Sequence, residues 1–561
     1  MKLGLKKIIS AVLAAAMVLA FAPKAEITVS AAKNVNPYYT YEDSVSGIRF
    51  TSDSGMSAEK KLGEYLGKSK FLRYIPYASA DVSDYIKHSL KSIYIPYIMD
   101  YSDGIVSDIL VTSSYVRTSF SYGGKSFDLY YYYGGEGHYS YAKGLYTDKK
   151  TSYSPQRYVL SSHTVYSSTS SGVTSYNWLQ NGSPFELRVQ GRHSDDYYSL
   201  CKVYSHKLDI IDNGATFIYT AEELMALSSD AESVVLANDI DMSDIDSWRG
   251  IQGFSGYFDG NSHTVYNLTS EKYGLFSSVK SGAEIANVRL YNCNISSECP
   301  QVGGIVSVIS SDVTDVKISG CAVNGYVGTK YDRSRSSAAG GIVGINNSES
   351  AVISNCYSNA VVESAYKAGG IAGINKGIIR DCAFGNFSGT GGFVENTYNT
   401  YNTYSGTLYS AGGICAISEG TITNCITGRG AVIAQGDYSG GIVGVLQGSG
   451  TVTKCVNMAD IFAGTYGYSG CIAGYAFRDT VIRNCYSIKY SDSYSSAKSI
   501  GGGNIVNKKT YTVTGDSVSD ISSFGGLDST WYIHSSGCGP VHRITYSYWV
   551  DNTPCVYGYL L

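Results

Sequence analysis

The sequence predicts a mainly β protein in which a parallel β-solenoid follows a small, tyrosine-rich α+β domain. Three observations carry this. A Gly-Gly-Ile phrase returns along the C-terminal two-thirds of the chain, and an apolar residue three positions before a cysteine returns in phase with it. The stretch before residue 205 has neither. Charged residues make up only 16% of the chain, while Gly (63) and Tyr (52) abound. Such a composition suits strands joined by tight turns.

The first phrase reads Gly303-Gly-Ile-Val-Ser, Gly340-Gly-Ile-Val-Gly-Ile-Asn346, Gly369-Gly-Ile-Ala-Gly-Ile-Asn375, Gly412-Gly-Ile-Cys-Ala, Gly440-Gly-Ile-Val-Gly, Gly470-Cys-Ile-Ala-Gly and Gly501-Gly-Gly-Asn. Its starts are 37, 29, 43, 28, 30 and 31 residues apart, a basal period near 29 with two insertions. Self-similarity of this kind means stacked units, none of which can bury its apolar face alone. No ten-residue amphipathic helix fits between the phrases, so the units are strands. Like residues then stack at about 4.8 Å, and seven coils make a rod of roughly 34 Å.

The second phrase aligns Leu290, Ile318, Ile353, Ile379, Ile422, Val452 and Ile482 three residues before Cys293, Cys321, Cys356, Cys382, Cys425, Cys455 and Cys485. The apolar column is the expected core. The double glycine is expected at a corner where a Cβ would clash or φ is positive. Asn292, Asn355, Asn424 and Asn484, each just before its cysteine, are expected to hydrogen-bond from coil to coil. The cysteines read as small buried hydrophobes. No Cys-x-x-Cys pair or histidine joins them, so zinc-ligand spacing is missing. Stacking at about 4.8 Å also exceeds the roughly 3.8 Å between Cβ atoms that a disulfide prefers.

These residues resemble the GLUG-motif family, and the segment ahead of them extends the likeness. Thr220-Ala-Glu-Glu223-Leu reads as a capping box opening a short helix. Val234 to Met242, Phe254 to Leu268, Tyr273-Gly-Leu-Phe276 and Gly282 to Val288 follow, as such lead-ins do in the family. The resemblance implies a right-handed parallel β-solenoid (β-helix) over 212–510, in a secreted or surface bacterial protein of adhesin-like or accessory kind.

The ends are of different material. Lys2, Lys6 and Lys7, the apolar run Ile8 to Ala22 and the small residues Val29-Ser30-Ala31 read as a signal peptide over 1–31. The run is short for a membrane span and Pro23-Lys24 closes it, so no membrane insertion is expected after cleavage. The expected location is extracellular or cell-surface associated. Cleavage removes four lysines and Glu26, taking the formal charge from −4 to about −7. That sign disfavours nucleic acid and anionic membrane as partners. Within 33–205, Ser57 to Leu66 and Asp195 to Leu208 suit helices, Tyr115 to Phe120 and Phe127 to Tyr133 a hairpin about Gly123-Gly124, and Phe185 to Val189 a strand. Residues 511–561 are expected to cap the open end of the rod. Cys538 and Cys555 lie outside the column, and whether they pair stays open.

The chain offers no catalytic residue, metal site or cofactor by motif. Acidic residues of the repeat are scattered rather than paired in one column, as a glycoside hydrolase would need. Asp239, Asp241, Asp244 and Asp246 match no EF-hand spacing. GLUG repeats also occur in immunoglobulin-cleaving zinc peptidases, but no His-Glu-x-x-His is present here, nor a Gly-x-Ser-x-Gly elbow. Aromatic and basic insertions remain. Tyr398, Tyr401 and Tyr404 recur every third residue between Asn and Thr, a candidate ligand platform. Lys330, Arg333 and Arg335 form a basic insertion able to meet an acidic glycan. The expectation is a non-catalytic, adhesin-like protein whose partner is a glycan or a host or cell-surface protein. A polysaccharide-cleaving enzyme and a structural spacer presenting the N-terminal domain stay open.

Overall fold

Two patterns of apolar residues build two compact units, one holding the described residues through Arg192 and the other those from Cys201 on. The computed structural model describes residues 39–42, 49–52, 106–111, 115–122, 125–132, 137–159, 163–180, 182–192, 201, 215–236, 239–260, 263–330, 336–385, 393–396, 409–428, 432–489, 498–514, 524, 527, 531–533 and 540–542. The signal-peptide segment, the 57–66 helix, the Gly123-Gly124 turn, the 195–208 helix apart from Cys201, and Cys538 and Cys555 lie outside them.

Among the described residues, the first unit is a nine-stranded sheet with one α-helix. Its strands are β1 (Tyr39–Glu42), β2 (Arg49–Ser52), β3 (Val106–Val111), β4 (Tyr115–Tyr122), β5 (Lys125–Tyr132), β6 (Gln156–Val159), β7 (Thr164–Ser170), β8 (Val173–Gln180) and β9 (Ser183–Gln190). They lie in the order β1-β2-β3-β4-β5-β9-β8-β7-β6. The expected hairpin forms, with Tyr115 opposite Tyr132 and Phe120 opposite Phe127. Alternation sends Phe127, Leu129, Phe185, Leu187 and Val189 inward, where Ala142 and Leu145 of helix α1 (Gly137–Thr147) are also buried.

The second unit is a parallel β-solenoid. Its 36 strands form one continuous set of ladders, each strand pairing with the one a coil further on. A full coil reads Ala338–Gly340, Val343–Asn346, Val352–Ser354, Tyr357–Ser358 and Val361–Ser364. The fourth of these, here called the flank strand, repeats in register through Thr264, Arg289, Ala322, Tyr357, Ala383, Ile426, Val456, Tyr486 and Tyr511. Ile240, paired with Val265, adds a level before them. The stack is therefore longer than the seven coils expected. The lead-in is itself coiled, with Tyr257, Glu284 and Lys317 already in register.

The lead-in opens with helix α2 (Ala221–Met225), where the Thr220 hydroxyl accepts from the Glu223 N–H at 3.3 Å. The return bond of the capping box is displaced by one residue. Glu223 Oε2 accepts from the N–H of Tyr219 at 2.6 Å, not from that of Thr220.

The apolar column is buried as expected, with one correction of register. Ile318 stacks on Ile285, while Leu290 stacks on Val323 of the next strand. Leu290 to Cys293 thus belongs to the following corner, and Val288 takes the cysteine's place in that coil. The true ladder is Cys321, Cys356, Cys382, Cys425, Cys455 and Cys485, all buried free thiols. Each sulfur is shared between two carbonyls. Cys356 Sγ, for example, bonds Ser354 O at 3.2 Å in its own coil and Ile318 O at 3.8 Å in the previous one.

The residue before the cysteine has a role beyond the coil-to-coil bond expected of it. Asn355, Asp381, Asn424, Lys454 and Asn484 have φ of 52–55°, and Gly320 has 60°. This single left-handed residue turns the chain from the third strand into the flank strand. Asn, Asp and Gly are the residues that tolerate the conformation. The expected coil-to-coil amide bonds form at Asn292, whose Nδ2 reaches Asn267 Oδ1 at 2.7 Å, and at Asn424, whose Nδ2 reaches Asp381 Oδ1 at 3.3 Å, while Asn355 Oδ1 is buried without a hydrogen-bond partner.

The double glycine answers to sterics, not to φ. Neither Gly340 nor Gly341 has positive φ. A Cβ on Gly340 would overlap the carbonyl oxygen of Val343, and one on Gly341 would meet the Gly370 carbonyl and the Ser358 side chain. The chain bends sharply at the first glycine, and at the second an inward flank-strand side chain closes onto it.

Candidate functional site

The flank strand alternates. Its middle residue points inward, so Val265, Leu290, Val323 and Ser358 are all buried. The residues on either side of it point outward, and their character changes along the rod.

At the first level stand Asp239 and Asp241, which turn contacts occupy. Asp239 Oδ1 accepts from the Thr264 N–H at 2.8 Å and lies 3.2 Å from His263 Nδ1. Asp241 Oδ1 accepts from the Ser243 N–H at 3.0 Å and from Asn267 Nδ2 at 2.9 Å. Partial burial works to raise the Asp239 carboxyl, but the bonds from His263 and Thr264 outweigh it and hold it below its ordinary value. Bonds from Asn267 and Ser243 lower Asp241 in the same way. Among the described residues, no group of three or more His, Cys, Asp or Glu could hold a metal ion.

The next four levels make an open groove of about 340 Å³. Thr264, Tyr266, Arg289, Tyr291, Asn324, Tyr357 and Asn359 line it, with Leu290, Ala322 and Val323 between them. The Tyr266 and Tyr291 rings meet edge to face, 5.9 Å apart, and Tyr291 is 55% exposed. Burial pushes the Tyr357 hydroxyl up, so it stays protonated and can donate. Asn359 Oδ1 is buried and has no hydrogen-bond partner. Such an acceptor costs about 1–3 kcal/mol unless a ligand or water serves it.

From the sixth level on, the same outward positions are covered. Ala383, Ile426, Val456, Met458, Tyr486 and Ile488 form a second apolar cluster with Phe524 and Trp531, and Leu527 packs against it. The Tyr486 and Phe524 rings lie edge to face at 4.9 Å. These described residues of the C-terminal segment therefore pack on the outer strip of the rod, in a cluster that reaches the last coil at Tyr511 and Val513. The physical reason is the apolar strip itself, which needs cover along its whole length.

The candidates named from sequence are not brought together. Tyr398, Tyr401, Tyr404, Arg333 and Arg335 lie outside the described residues. Lys330 is engaged: its Nζ pairs with Glu271 Oε1 at 3.3 Å, two coils back, an exposed pair worth little. The groove residues were missed because the columns were read only as far as the cysteine. One residue further, Tyr357 and Tyr486 already repeat.

No family model, curated protein or solved structure matches the chain.

Proposed function

We propose that this is an exported or surface-bound, non-catalytic binding protein of the GLUG-like kind, and that its solenoid recognises a glycan in the flank groove. The observation that carries the reading is the lining of that groove. Three tyrosine rings offer apolar faces with polar tips, beside the polar side chains of Arg289, Asn324 and Asn359. A peptide suits the surface less well. Flank-strand backbone groups are spent on coil-to-coil pairing, so no free edge is offered for strand addition.

Two features favour binding over cleavage. Among the described residues, no carboxylate lines the groove. The two at its end, Asp239 and Asp241, are both held below their ordinary values, so neither supplies the raised acid a glycosidase needs.

A glycan array on the protein without residues 1–31, run beside a reducing-sugar assay, tests this. Binding without release of sugar is expected, and Tyr291→Ala should weaken it at least tenfold with melting unchanged. Sugar release would overturn the non-catalytic reading. Silence in both assays would sink the binding reading and leave a spacer.

A further inference from the structure

We infer that the flank groove receives the end of a glycan chain and does not clasp the chain along its middle. This rests on the glycan reading above and adds how the ligand enters.

The argument is the asymmetry of the groove's two ends. At the N-terminal end it runs out past Thr264 towards Asp239, whose side chain is 56% exposed. Nothing among the described residues covers that level. At the other end, Tyr357 both lines the groove and packs against the cluster anchored by Phe524 and Trp531. One coil on, the same outward position is Ala383, 0% exposed, followed by Ile426 at 1% and Val456 at 0%. The strip that would carry a chain onward is already occupied by the protein itself.

The open part spans the four levels from Thr264 to Tyr357, about 14 Å at the strand spacing, room for a short oligosaccharide. Beyond its closed end no open strip remains for a chain to continue on. An internal segment needs a way out at both ends, while a chain terminus needs one only at the open end, so the terminus is the part of a glycan that fits. Tyr291 and Tyr266, further out, would stack on the rings that follow.

The test uses linear cello-, laminari-, manno-, malto- and chito-tetrasaccharides with their parent polymers, and measures Kd per mole of chain. For any series that binds, tetramer and polymer should agree within about twofold, because each chain offers one usable end of the recognised kind. A polymer at least tenfold tighter per mole of chain would mean that internal segments bind, and would overturn this inference while leaving the glycan reading intact. Absence of binding in every series would sink the glycan reading and this inference with it.

Discussion

Lys454 occupies a corner at φ 52° that Asn, Asp or Gly fills in the neighbouring coils. A long side chain in the left-handed region is strained by about 1–2 kcal/mol, and Asn relieves part of that. Lys454→Asn should therefore raise stability by up to about 1 kcal/mol, read from urea unfolding. An unchanged or lower midpoint would mean that the corner places no such demand on its residue. In the first unit, Glu186 accepts from Arg188 Nε at 2.7 Å, Arg188 Nη2 at 3.0 Å and the Tyr132 hydroxyl at 2.6 Å, with its side chain 4% exposed. Burial alone would raise its carboxyl, but the bonds and charge of Arg188, then the Tyr132 hydroxyl, hold it below the ordinary 4.5. A depressed folded pKa stabilises above the unfolded value, and that stabilisation disappears as pH falls through the folded one. Hydrogen-exchange protection factors across Ser183–Gln190, corrected for the intrinsic rate, should accordingly fall below about pH 4.5. Glu186→Gln should be destabilised by about 3 kcal/mol at neutral pH, because Arg188 loses its counter-charge, and should respond less to acid. Equal acid sensitivity in the two proteins would remove Glu186 as its source.

The coil is built from elements too short to be stable alone, so its energetics lie in the columns. Gly341 has no room for a methyl group, since the Gly370 carbonyl and Ser358 fill the site. Gly341→Ala should cost about 3 kcal/mol or prevent folding. The double variant Gly341→Ala/Ser358→Ala should recover only part of this, because the backbone carbonyl remains. Full recovery would locate the clash in Ser358 alone. The cysteine ladder makes the opposite demand, for a small apolar group with a weak donor. Burial pushes the thiols of Cys356, Cys425 and Cys485 well up, while at Cys382 and Cys455 hydrogen bonds from the neighbouring thiols outweigh burial and pull the other way, so it is the burial of all six that keeps reagents from them. Thiol counting without reductant should find at least eleven free groups after denaturation, those of the described cysteines. In the native protein the half-exposed Cys299 should react first and the six ladder thiols last. Oxidised ladder cysteines would refute the stacking.

At the scale of the solenoid, one outer strip passes from carboxylates through an aromatic groove to an apolar half roofed by Phe524 and Trp531. The roof is a large buried area on a surface that would otherwise be an exposed apolar patch. Trp531→Ala should lower stability by about 3–5 kcal/mol and raise binding of an apolar dye, while far-ultraviolet circular dichroism stays unchanged. Unchanged melting and dye binding would show that the segment does not roof the strip.

The sequence by itself determined the parallel solenoid, its inward Ile and Val column, its buried cysteines and its glycine corners. Each of these repeats with the coil, and a side chain inside a stacked core is constrained the same way at every level. It also showed the hairpin of the first unit, whose two strands are close in sequence. What only the tertiary structure decided lies where the repeat stops being informative. The register of Leu290 required knowing which strand lay beneath it, because two successive corners carry the same Asn-Cys pair or its Asn-Val equivalent. The groove required knowing which residues look outward at one level, and such residues differ from coil to coil because no shared core constrains them. The roof gathers Phe524 and Trp531 into one apolar cluster with Ile426, Val456 and Tyr486 across long stretches of chain, and no local pattern encodes packing of that separation.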